Sequence, residues 1–270
     1  MHAVRAVHAP VEEAVPASAE DLERVHPPEF LAGIRALCEQ GGGAIDLDTV
    51  ASERSYDAAV VASGAATGAV DAVLAGDLGA AFCLGRPPGH HAERARAMGF
   101  CLVNHAAVAA WHARAAGVER VAVLDWDAHH GNGTQAIFWE DPDVLYVSLH
   151  QYPFYPGTGS RAERGAGAGE GATVNIPLAA GTSEREFLDA FDGEALPALR
   201  DFDPGLLIVS AGFDAHRDDP LCSLGLSAAA FGTMTRSVRD IGAGPVMILE
   251  GGYDLTALFE SVSEALTALA

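Results

Sequence analysis

Short apolar runs rich in β-branched residues alternate along the chain with alanine-rich stretches that have helical character. Short apolar strands separated by helices are typical of a parallel sheet that is covered on both faces. The pattern therefore predicts an α/β fold with an open, mostly parallel sheet. The predicted strands are Ala81–Leu84, Val121–Trp126, Val144–Leu149, Thr173–Pro177, Leu206–Ser210 and Pro245–Leu249.

Helices are predicted between these strands and near the N-terminus. Ser18 and Asp21 have the spacing of a helix capping box, so we expect a helix to begin at Ser18. The segment 160–171, rich in Gly, Arg and Glu, is predicted to be a mobile surface loop. The other predicted helices are Tyr56–Leu74, Asn104–Ala116, Ser183–Leu199, Ser227–Ile241 and Leu255–Leu269.

Polar clusters follow most of the predicted strands at the point where each strand ends. DWDAHHGNG follows VAVL, SLHQY follows VLYV, AGFDAHRDD follows LLIVS, and EGGYD follows PVMIL. A PPGHH segment follows the first predicted strand after a short turn. Ligands of open α/β sheets bind beyond the carboxyl ends of the strands. We therefore expect these histidines, aspartates and tyrosines to converge on one site.

Length and composition indicate a single domain over residues 1–270 with a substantial core. Hydrophobic residues make up 49% of the chain and charged residues 20%. No run approaches the ~20 uninterrupted apolar residues that cross a bilayer. The N-terminal segment lacks the apolar core of a signal peptide. We expect no membrane association and a cytoplasmic location.

The charge balance bears on partners and on chemistry. The formal net charge is −21, and all 16 basic residues are arginines. Such a field should repel nucleic acid and attract cationic molecules, although a compositional bias or adaptation to salt would produce the same excess. Chemistry that requires a lysine, such as a Walker phosphate loop or a Schiff base, is excluded.

The densest polar cluster is DWDAHH at residues 125–130. In an extended segment alternate side chains share a face, so Asp125, Asp127 and His129 could point the same way. Asp214 ends another strand and can reach the same edge. Asp127, His129 and Asp214 would bind a divalent cation and leave positions open for water and substrate, as a catalytic site requires. The four cysteines form no CxxC pair, which argues against a structural zinc site.

The neighbouring polar residues could support the chemistry of such a metal. Asp125 and Ser148 can hold a monovalent cation or orient a histidine, or they can form ordinary hydrogen bonds at a strand end. His90 and His91 follow a Pro-Pro-Gly turn that holds adjacent imidazoles rigidly. Such a histidine can act as general base and then general acid beside a metal. The Tyr253 hydroxyl can donate to an oxyanion, or its ring can simply pack.

Aromatic residues occur on two of the same loops, in GFC at 99–101 and in FYPG at 154–157. Facing rings could form a narrow slot for an aliphatic chain, or they could pack in the core. Two further histidines near the loops, His150 and His216, are left undecided. The histidines interpreted as structural are His2, His8, His26, His105 and His112.

Six strings taken together resemble the histone deacetylase family, most closely its class II-like bacterial and archaeal branch. They are GRPPGHHA, MGFCLVNHAAVAA, VLDWDAHHGNGTQ, VSLHQYPFYPGTG, SAGFDAHRDDPL and LEGGYDL, in the family's order. The resemblance implies an arginase/deacetylase-like three-layer fold and one zinc ion. It implies hydrolysis of N-acetyl amides, on acetyl-lysine in proteins or on acetylated amines such as polyamines.

The resemblance also implies roles for individual residues. Asp127, His129 and Asp214 match the zinc ligands. His91 matches the general base, and His90 matches its electrostatic or acid partner. Since such ligands select weakly among metals, iron(II) or cobalt would also suit the site.

Further roles follow in the same way. Asp125 and Asn132 match the partners of the two histidines, and Asn132 stands where class I members carry Asp. Tyr253 matches the residue that polarises the acetyl carbonyl. The residues matching the substrate channel and its rim are Gly99, Phe100, Tyr155 and Asp48, with Tyr155 standing where Phe is more usual.

Two structural potassium sites are also implied. The first resembles a site formed by Asp125, Asp127, His129, Ser148 and Leu149. The second would lie around Phe138, Asp141 and Val144.

One departure from the family concerns the N-terminus. The family's first strand and a loop with a His-Pro-Glu-x-Pro-x-Arg signature precede the RAVHAP region, and this chain begins almost directly in that region. The expectation is a domain that is short at its N-terminus: either the sequence begins late, or a sheet edge and part of the channel are exposed.

Two rival functions remain open at this point. A two-metal ureohydrolase on the related arginase-like fold would need carboxylates near His130 and Gly131 to bridge a second cation. A non-catalytic acyl-lysine binding protein would bind the acetylated side chain in the same pocket without hydrolysing it.

Overall fold

The computed structural model of the protein describes residues 11–270. His2 and His8 lie outside the described residues. All six predicted strands are present, together with a short hairpin that the sequence pattern did not predict. The strands are Gly42–Ala44 (β1), Val50–Ser52 (β2), Ala81–Cys83 (β3), Val121–Asp125 (β4), Val144–Gln151 (β5), Thr173–Leu178 (β6), Leu206–Ala211 (β7) and Ala243–Leu249 (β8).

Strands β3 to β8 form one sheet in the order β3-β8-β7-β4-β5-β6, with every pairing parallel. β1 and β2 pair separately as an antiparallel hairpin. Because every pairing is parallel, the carboxyl ends of all six strands lie at the same edge of the sheet. The predicted open parallel sheet is confirmed.

Helices cover both faces of the sheet and fall between the strands. They are Ala19–Val25 (α1), Pro28–Glu39 (α2), Ser55–Leu74 (α3), His105–Ala115 (α4), Asn132–Ile137 (α5), Glu184–Ala190 (α6), Leu196–Phe202 (α7), Ala228–Val238 (α8) and Leu255–Leu269 (α9). Helices α1 to α4 pack on one face, and α6 to α9 pack on the other.

Strand β4 shows why the sheet strands read as continuous apolar runs. Val121 and Val123 belong to the core under α1 to α4, whereas Ala122 and Leu124 belong to the core under α6 to α9. All four side chains are fully buried. Successive side chains of a strand point to opposite faces, so a strand between two helical layers needs apolar residues at every position. The three-layer arrangement is confirmed.

The predicted helix Ser183–Leu199 is the one that differs most from the structure. It begins at a full capping box between Ser183 and Glu186. A π-helical segment, Phe191–Ala195, then separates α6 from α7. Pro197 has no N–H to donate to the carbonyl four residues earlier, which disrupts regular α-helical bonding at this point.

Near the N-terminus, the Ser18 hydroxyl accepts a hydrogen bond from the Asp21 N–H and caps α1, as its spacing predicted. Helix α2 was missed. It starts at Pro28, a residue that suits the first helical turn because its missing N–H needs no partner there. The β1–β2 hairpin was missed because its first strand is glycine-rich and only three residues long.

Helix α3 is long and apolar enough, by length and composition, to cross a membrane. Its charged residues Asp57 and Asp71 interrupt the apolar run, and 44% of its most apolar window is buried inside the protein. Its buried face packs against α4, β3 and β8. An apolar helix that covers a sheet passes the same composition test, and this packing explains the composition of α3.

His112 joins three helices at the surface of the first helical layer. Its Nδ1 lies 2.8 Å from Asp21 on α1, and its Nε2 lies 2.8 Å from Asp71 on α3. Burial opposes the charged ring, but the hydrogen bonds to these two carboxylates raise the pKa of His112 above its usual value. The structural role predicted for His112 is confirmed.

We expect His112→Gln to destabilise the protein more at acidic than at alkaline pH. Because the folded-state pKa of His112 is raised, its contribution is fully present below the unfolded pKa and is lost as pH rises through the folded pKa. The loss should be about 1 kcal/mol at pH 6 and smaller at pH 9 in urea unfolding. Arg35→Met, which removes an exposed pair with Glu39, should show no such pH dependence. Equal losses for His112→Gln at both pH values would refute the ion-pair role.

Candidate active site

The loops at the carboxyl edge of the sheet, together with the β1–β2 loop, surround a cavity of about 130 Å³. The structure thus brings together the polar clusters that follow β3, β4, β5, β7 and β8. The lining residues are Asp48, Pro88, His90, His91, Gly99, Phe100, Asp127, His129, Tyr155, Leu221, Gly251 and Tyr253.

Asp127, His129 and Asp214 form a candidate metal centre. One ligand atom from each lies within 4.8 Å of the others. His129 Nδ1 is 2.9 Å from Asp214 Oδ2 and 3.2 Å from Asp127 Oδ1. Within residues 11–270, no other His, Cys, Asp or Glu residues form such a group of three or more. Two carboxylates and an imidazole are suitable ligands for a divalent ion such as Zn²⁺.

Backbone N–H groups hold the two carboxylates in place. Asp127 accepts from His129 N–H at 2.9 Å and from Gly251 N–H at 2.8 Å. Asp214 accepts from Ala128 N–H at 2.7 Å. A Cβ atom at position 251 would lie 2.4 Å from Asp214 Oδ2, so only glycine allows this approach of the β8 loop.

Asp125 lies outside the group of Asp127, His129 and Asp214, which is the set that the sequence predicted as metal ligands. Strand β4 ends at Asp125, one residue earlier than predicted, and the chain turns because Asp127 N–H donates to Asp125 Oδ1 at 3.1 Å. The other oxygen of Asp125 lies 3.0 Å from His90 Nδ1 and accepts from the Tyr146 hydroxyl. Asp125 therefore orients a histidine, which is one of the alternatives that the sequence left open.

His90 and His91 are buried side by side, with ring centroids 4.1 Å apart. Each has its own partner: Asp125 for His90, and Asn132 for His91 at 2.8 Å from Nδ1. Asn132 also donates through Nδ2 to Glu93, so its oxygen faces His91. His91 Nδ1 therefore carries the proton, and the lone pair of Nε2 is left to act as a base.

The two histidines differ in charge. Burial opposes protonation of His90, but the charges of Asp127 and Asp125 raise its pKa well above the usual value. Burial and the neighbouring His90 charge instead lower the pKa of His91 well below the usual value. The pair therefore consists of a cationic His90 and a neutral His91 at neutral pH.

Glu250 is a site residue that the sequence analysis missed. It is fully buried, and burial raises its pKa to about 7. Its Oε2 accepts from Gly89 N–H at 2.6 Å and from His90 N–H at 3.1 Å, while Oε1 accepts from the Ser210 hydroxyl. Glu250 thus holds the turn that carries the two histidines. The signal in the sequence was a carboxylate directly after the apolar strand PVMIL.

Tyr253 lines the cavity and is partly buried. Asp219 accepts a hydrogen bond from its backbone N–H at 2.7 Å. Its ring meets Phe100 edge-on, with centroids 5.9 Å apart. Burial, together with the charges of Asp127 and Asp214, raises the pKa of the Tyr253 phenol, which stays protonated as a donor.

Aromatic residues form the walls of the cavity. Tyr155 packs edge-on against His91, with centroids 5.2 Å apart, and Phe154 stacks on His129 at 5.3 Å. Phe100 also lines the cavity, beside Tyr253. Gly99 has a φ of 56°, and a Cβ atom there would lie 2.4 Å from the His91 ring.

Asp48 lies at the mouth of the cavity on the β1–β2 loop and is exposed. Its carboxylate accepts from the Thr49 hydroxyl at 2.9 Å. The same hydroxyl accepts from Phe100 N–H at 3.1 Å. The rim carboxylate and the channel aromatic are therefore connected through Thr49.

The residues of the two predicted potassium sites lie in buried surroundings. Ser148 and Leu149 are buried on β5, and Ser148 pairs in register with Asp125 across β4. The Ser148 hydroxyl is 2.8 Å from His150 Nδ1. Of the second set, Phe138 and Val144 are buried and Asp141 contacts Arg114. Both potassium sites stay predictions.

The other histidines among residues 11–270 form hydrogen bonds outside the metal group. Burial lowers the pKa of His26 and of His105 to about 4. His26 Nδ1 bonds the Arg94 carbonyl, and His105 Nδ1 bonds the Ser63 hydroxyl. The undecided His150 bonds Ser148 and Gly159, and the undecided His216 is buried beside Asp218. His130 bonds Thr158 and Gln135 rather than a second metal group.

A parallel sheet between two helical layers, with this metal group at its carboxyl edge, has the architecture of the arginase/deacetylase fold. The solved HDA15 HD domain superimposes with a TM-score of 0.95 at 38% identity, covering 99% of this chain and 82% of that one. An acetylpolyamine aminohydrolase from Burkholderia pseudomallei gives 0.92 at 33% identity, covering 99% and 87%.

The chain belongs to the histone deacetylase family, because the family's Histone deacetylase domain matches residues 2–269. It is also 46% identical to a histone deacetylase-like amidohydrolase of Pseudomonas aeruginosa over 89% of this chain. The match spans 65% of the length of that relative. Family and relatives together indicate a deacetylase or amidohydrolase.

We expect Asp214→Asn to weaken zinc binding by more than about 100-fold, because loss of an outer-shell partner alone costs 10–100-fold. The amide oxygen can still accept from Ala128 N–H, so the fold should persist. Equilibrium dialysis against zinc measures the affinity, with Asp218→Asn as the control because Asp218 is exposed nearby. Unchanged affinity in the Asp214 variant would remove Asp214 from the ligand set.

Proposed function

We propose that the protein hydrolyses N-acetyl amides with the help of one divalent metal ion, zinc. The observation that carries the proposal is the position of the Asp127, His129 and Asp214 group beside the cavity that His91 and Tyr253 line. This arrangement offers a cation site, a proton acceptor and a hydroxyl donor to one substrate group. Amide hydrolysis uses all three functions.

The metal site fits a divalent ion in both charge and ligand type. Burial would lower the pKa of His129, yet hydrogen bonds to Asp127 and Asp214 raise it to about 10. That shift reflects a concentration of negative charge that a divalent cation would neutralise. When bound, the ion would supply Lewis-acid activation of water and of the amide carbonyl. Zinc is our assignment, and iron(II) or cobalt would suit the same ligands.

The proton transfers are assigned to the histidine pair. His91 accepts a proton from the attacking water through Nε2, since Asn132 occupies Nδ1. His90 lies 3.0 Å from the Asp125 carboxylate, and in its protonated form it stabilises negative charge that develops nearby. His91 then delivers its proton to the nitrogen of the leaving amine. Acetate and a free amine are the products.

Tyr253 stabilises the tetrahedral transition state. Its protonated phenol donates a hydrogen bond to the former carbonyl oxygen as that oxygen becomes negative. A preorganised donor of this kind is most effective where water is excluded. The Phe100 ring that packs against Tyr253 provides that shielding.

The substrate is an acetylated lysine side chain in a protein or an acetylated amine such as a polyamine. The cavity beside the metal group is lined by Gly99, Phe100 and Tyr155, and Asp48 lies at its rim. A net charge of −21 favours a cationic substrate and disfavours nucleic acid. One structural relative is described as an acetylpolyamine aminohydrolase.

We further propose a structural potassium ion near Asp125, Ser148 and Leu149 and a cytoplasmic location. The first is supported by the burial of Asp125 and Ser148, which are register partners on β4 and β5. The second is supported by the free state of all four cysteines, which is typical of a reducing compartment.

Tyr253→Phe should lower kcat for an acetyl-lysine peptide by at least about 100-fold, because the transition state loses its hydroxyl donor. Bound zinc should be unchanged. The matched control is Tyr56→Phe, which removes a phenol hydroxyl on α3 and should keep full activity. Undiminished acetate release in Tyr253→Phe would rule out this mechanism.

The net negative charge of the protein predicts that its preference for a cationic substrate over a neutral one depends on salt. KM for an acetylated polyamine should rise with ionic strength, whereas KM for a neutral acetamide of similar length should change little. Acetate release at several salt concentrations measures both.

Release of urea from arginine with two equivalents of manganese would favour a ureohydrolase, and tight acetyl-peptide binding without acetate release would favour a binding protein.

A further inference from the structure

The loops after β3 and β8 are linked by side chains in both directions. Arg86, on the β3 loop, donates through Nη1 to the backbone carbonyl of Glu250 at 2.8 Å. Glu250, on the β8 loop, accepts through Oε2 from the backbone N–H groups of Gly89 and His90. Each loop therefore fixes the backbone of the other, and we call this pair the Arg86–Glu250 clamp.

The clamp joins the two loops that carry the proton acceptor and the hydroxyl donor. His91 follows His90 on the β3 loop, and Tyr253 lies three residues after Glu250 on the β8 loop. Gly251 and Gly252 lie between Glu250 and Tyr253, and Gly252 has a φ of 131°. Glycines give this segment freedom that must be restrained by contacts elsewhere.

The Tyr253 ring has two such restraints. Phe100 meets it edge-on, and the guanidinium carbon of Arg86 lies over its face, 5.5 Å from the ring centroid. This distance is within the range of a cation–π interaction. Arg86 is exposed, and its guanidinium contacts both the Tyr253 ring and the Glu250 carbonyl.

We propose that Arg86 is a positioning residue that holds the Tyr253 phenol in its donating geometry and keeps it in register with the histidine pair. The inference rests on the proposed amide hydrolysis for its catalytic consequence. Arg86 touches no reacting atom and acts through Tyr253. Its cation also stabilises the partial negative charge that builds on the phenol as the hydrogen bond to the substrate strengthens.

The first experiment separates the hydrogen bond of Arg86 from its charge. Lysine retains both a donor and a cation, glutamine retains only a donor, and methionine retains neither. We expect Arg86→Met to lower kcat for an acetyl-lysine peptide about tenfold at unchanged KM, with Arg86→Gln intermediate and Arg86→Lys nearest to wild type. Arg35→Met, on the exposed face of α2, is the matched control.

A double-mutant cycle distinguishes positioning from a merely structural role. In the Tyr253→Phe background, Arg86→Met should lower the residual kcat by less than about twofold, because the phenol through which Arg86 acts is already gone. A full tenfold loss in that background would mean that Arg86 acts independently of Tyr253, and this would overturn the proposal.

The second experiment needs neither turnover nor bound metal. The protein has five tyrosines, so selective ¹³C labelling at the phenol carbon gives five NMR signals. Tyr253→Phe identifies the Tyr253 signal by its loss. Arg86→Met should shift that signal and leave the other four in place, whereas Arg86→Lys should restore it towards its wild-type position.

These outcomes are distinguishable from failure of the proposed function. If the zinc-loaded wild type released no acetate, the hydrolysis proposal would fail, and the NMR signals would still decide whether Arg86 positions Tyr253. An unmoved Tyr253 signal in Arg86→Met overturns the inference. A moved signal with undiminished kcat in an active enzyme also overturns it, because positioning would then have no effect on the reaction.

Discussion

Four buried carboxyl groups lie in one cluster of loops, and their mutual repulsion constrains the side chains and backbone that pack against them. They belong to Asp125, Asp127, Asp214 and Glu250. Burial and Asp127 together raise the pKa of Asp214 to about 6, and burial raises that of Glu250 to about 7. A buried charge is tolerated only when it is paired or hydrogen-bonded. Here the compensation comes from backbone N–H groups and from two histidines.

That requirement accounts for much of the local architecture. Parallel strands end at one edge, where their loops can turn several backbone N–H groups towards the same carboxylates. Gly251 and Ala128 supply such groups to Asp127 and Asp214. Because two apolar layers hold the sheet on both faces, these loops start from rigid positions. The negative charge left over is suited to a divalent cation, and the cationic His90 supplies part of the balance.

The strands could be predicted from the sequence because a sheet between two cores requires apolar residues at every position, as β4 shows. The metal group could be predicted because its three residues follow strands that end at one edge. The site features that could not be predicted depend on hydrogen bonds between residues far apart in the sequence. Glu250 contacts backbone N–H groups about 160 positions earlier in the chain, and no local pattern indicates that pairing. The hydrogen bond from Asp127 N–H to Asp125 Oδ1, just after β4, is likewise not indicated by the sequence pattern.

The account as a whole depends on one cation held by Asp127, His129 and Asp214. Diffraction data from zinc-loaded crystals, collected at the zinc absorption edge, locate that ion directly. We predict one anomalous peak, with ligand distances of about 2.0–2.2 Å to both carboxylates and to His129 Nδ1. No peak at this position would contradict the account, and so would a second peak about 3.5–4 Å away, the spacing of a two-metal site.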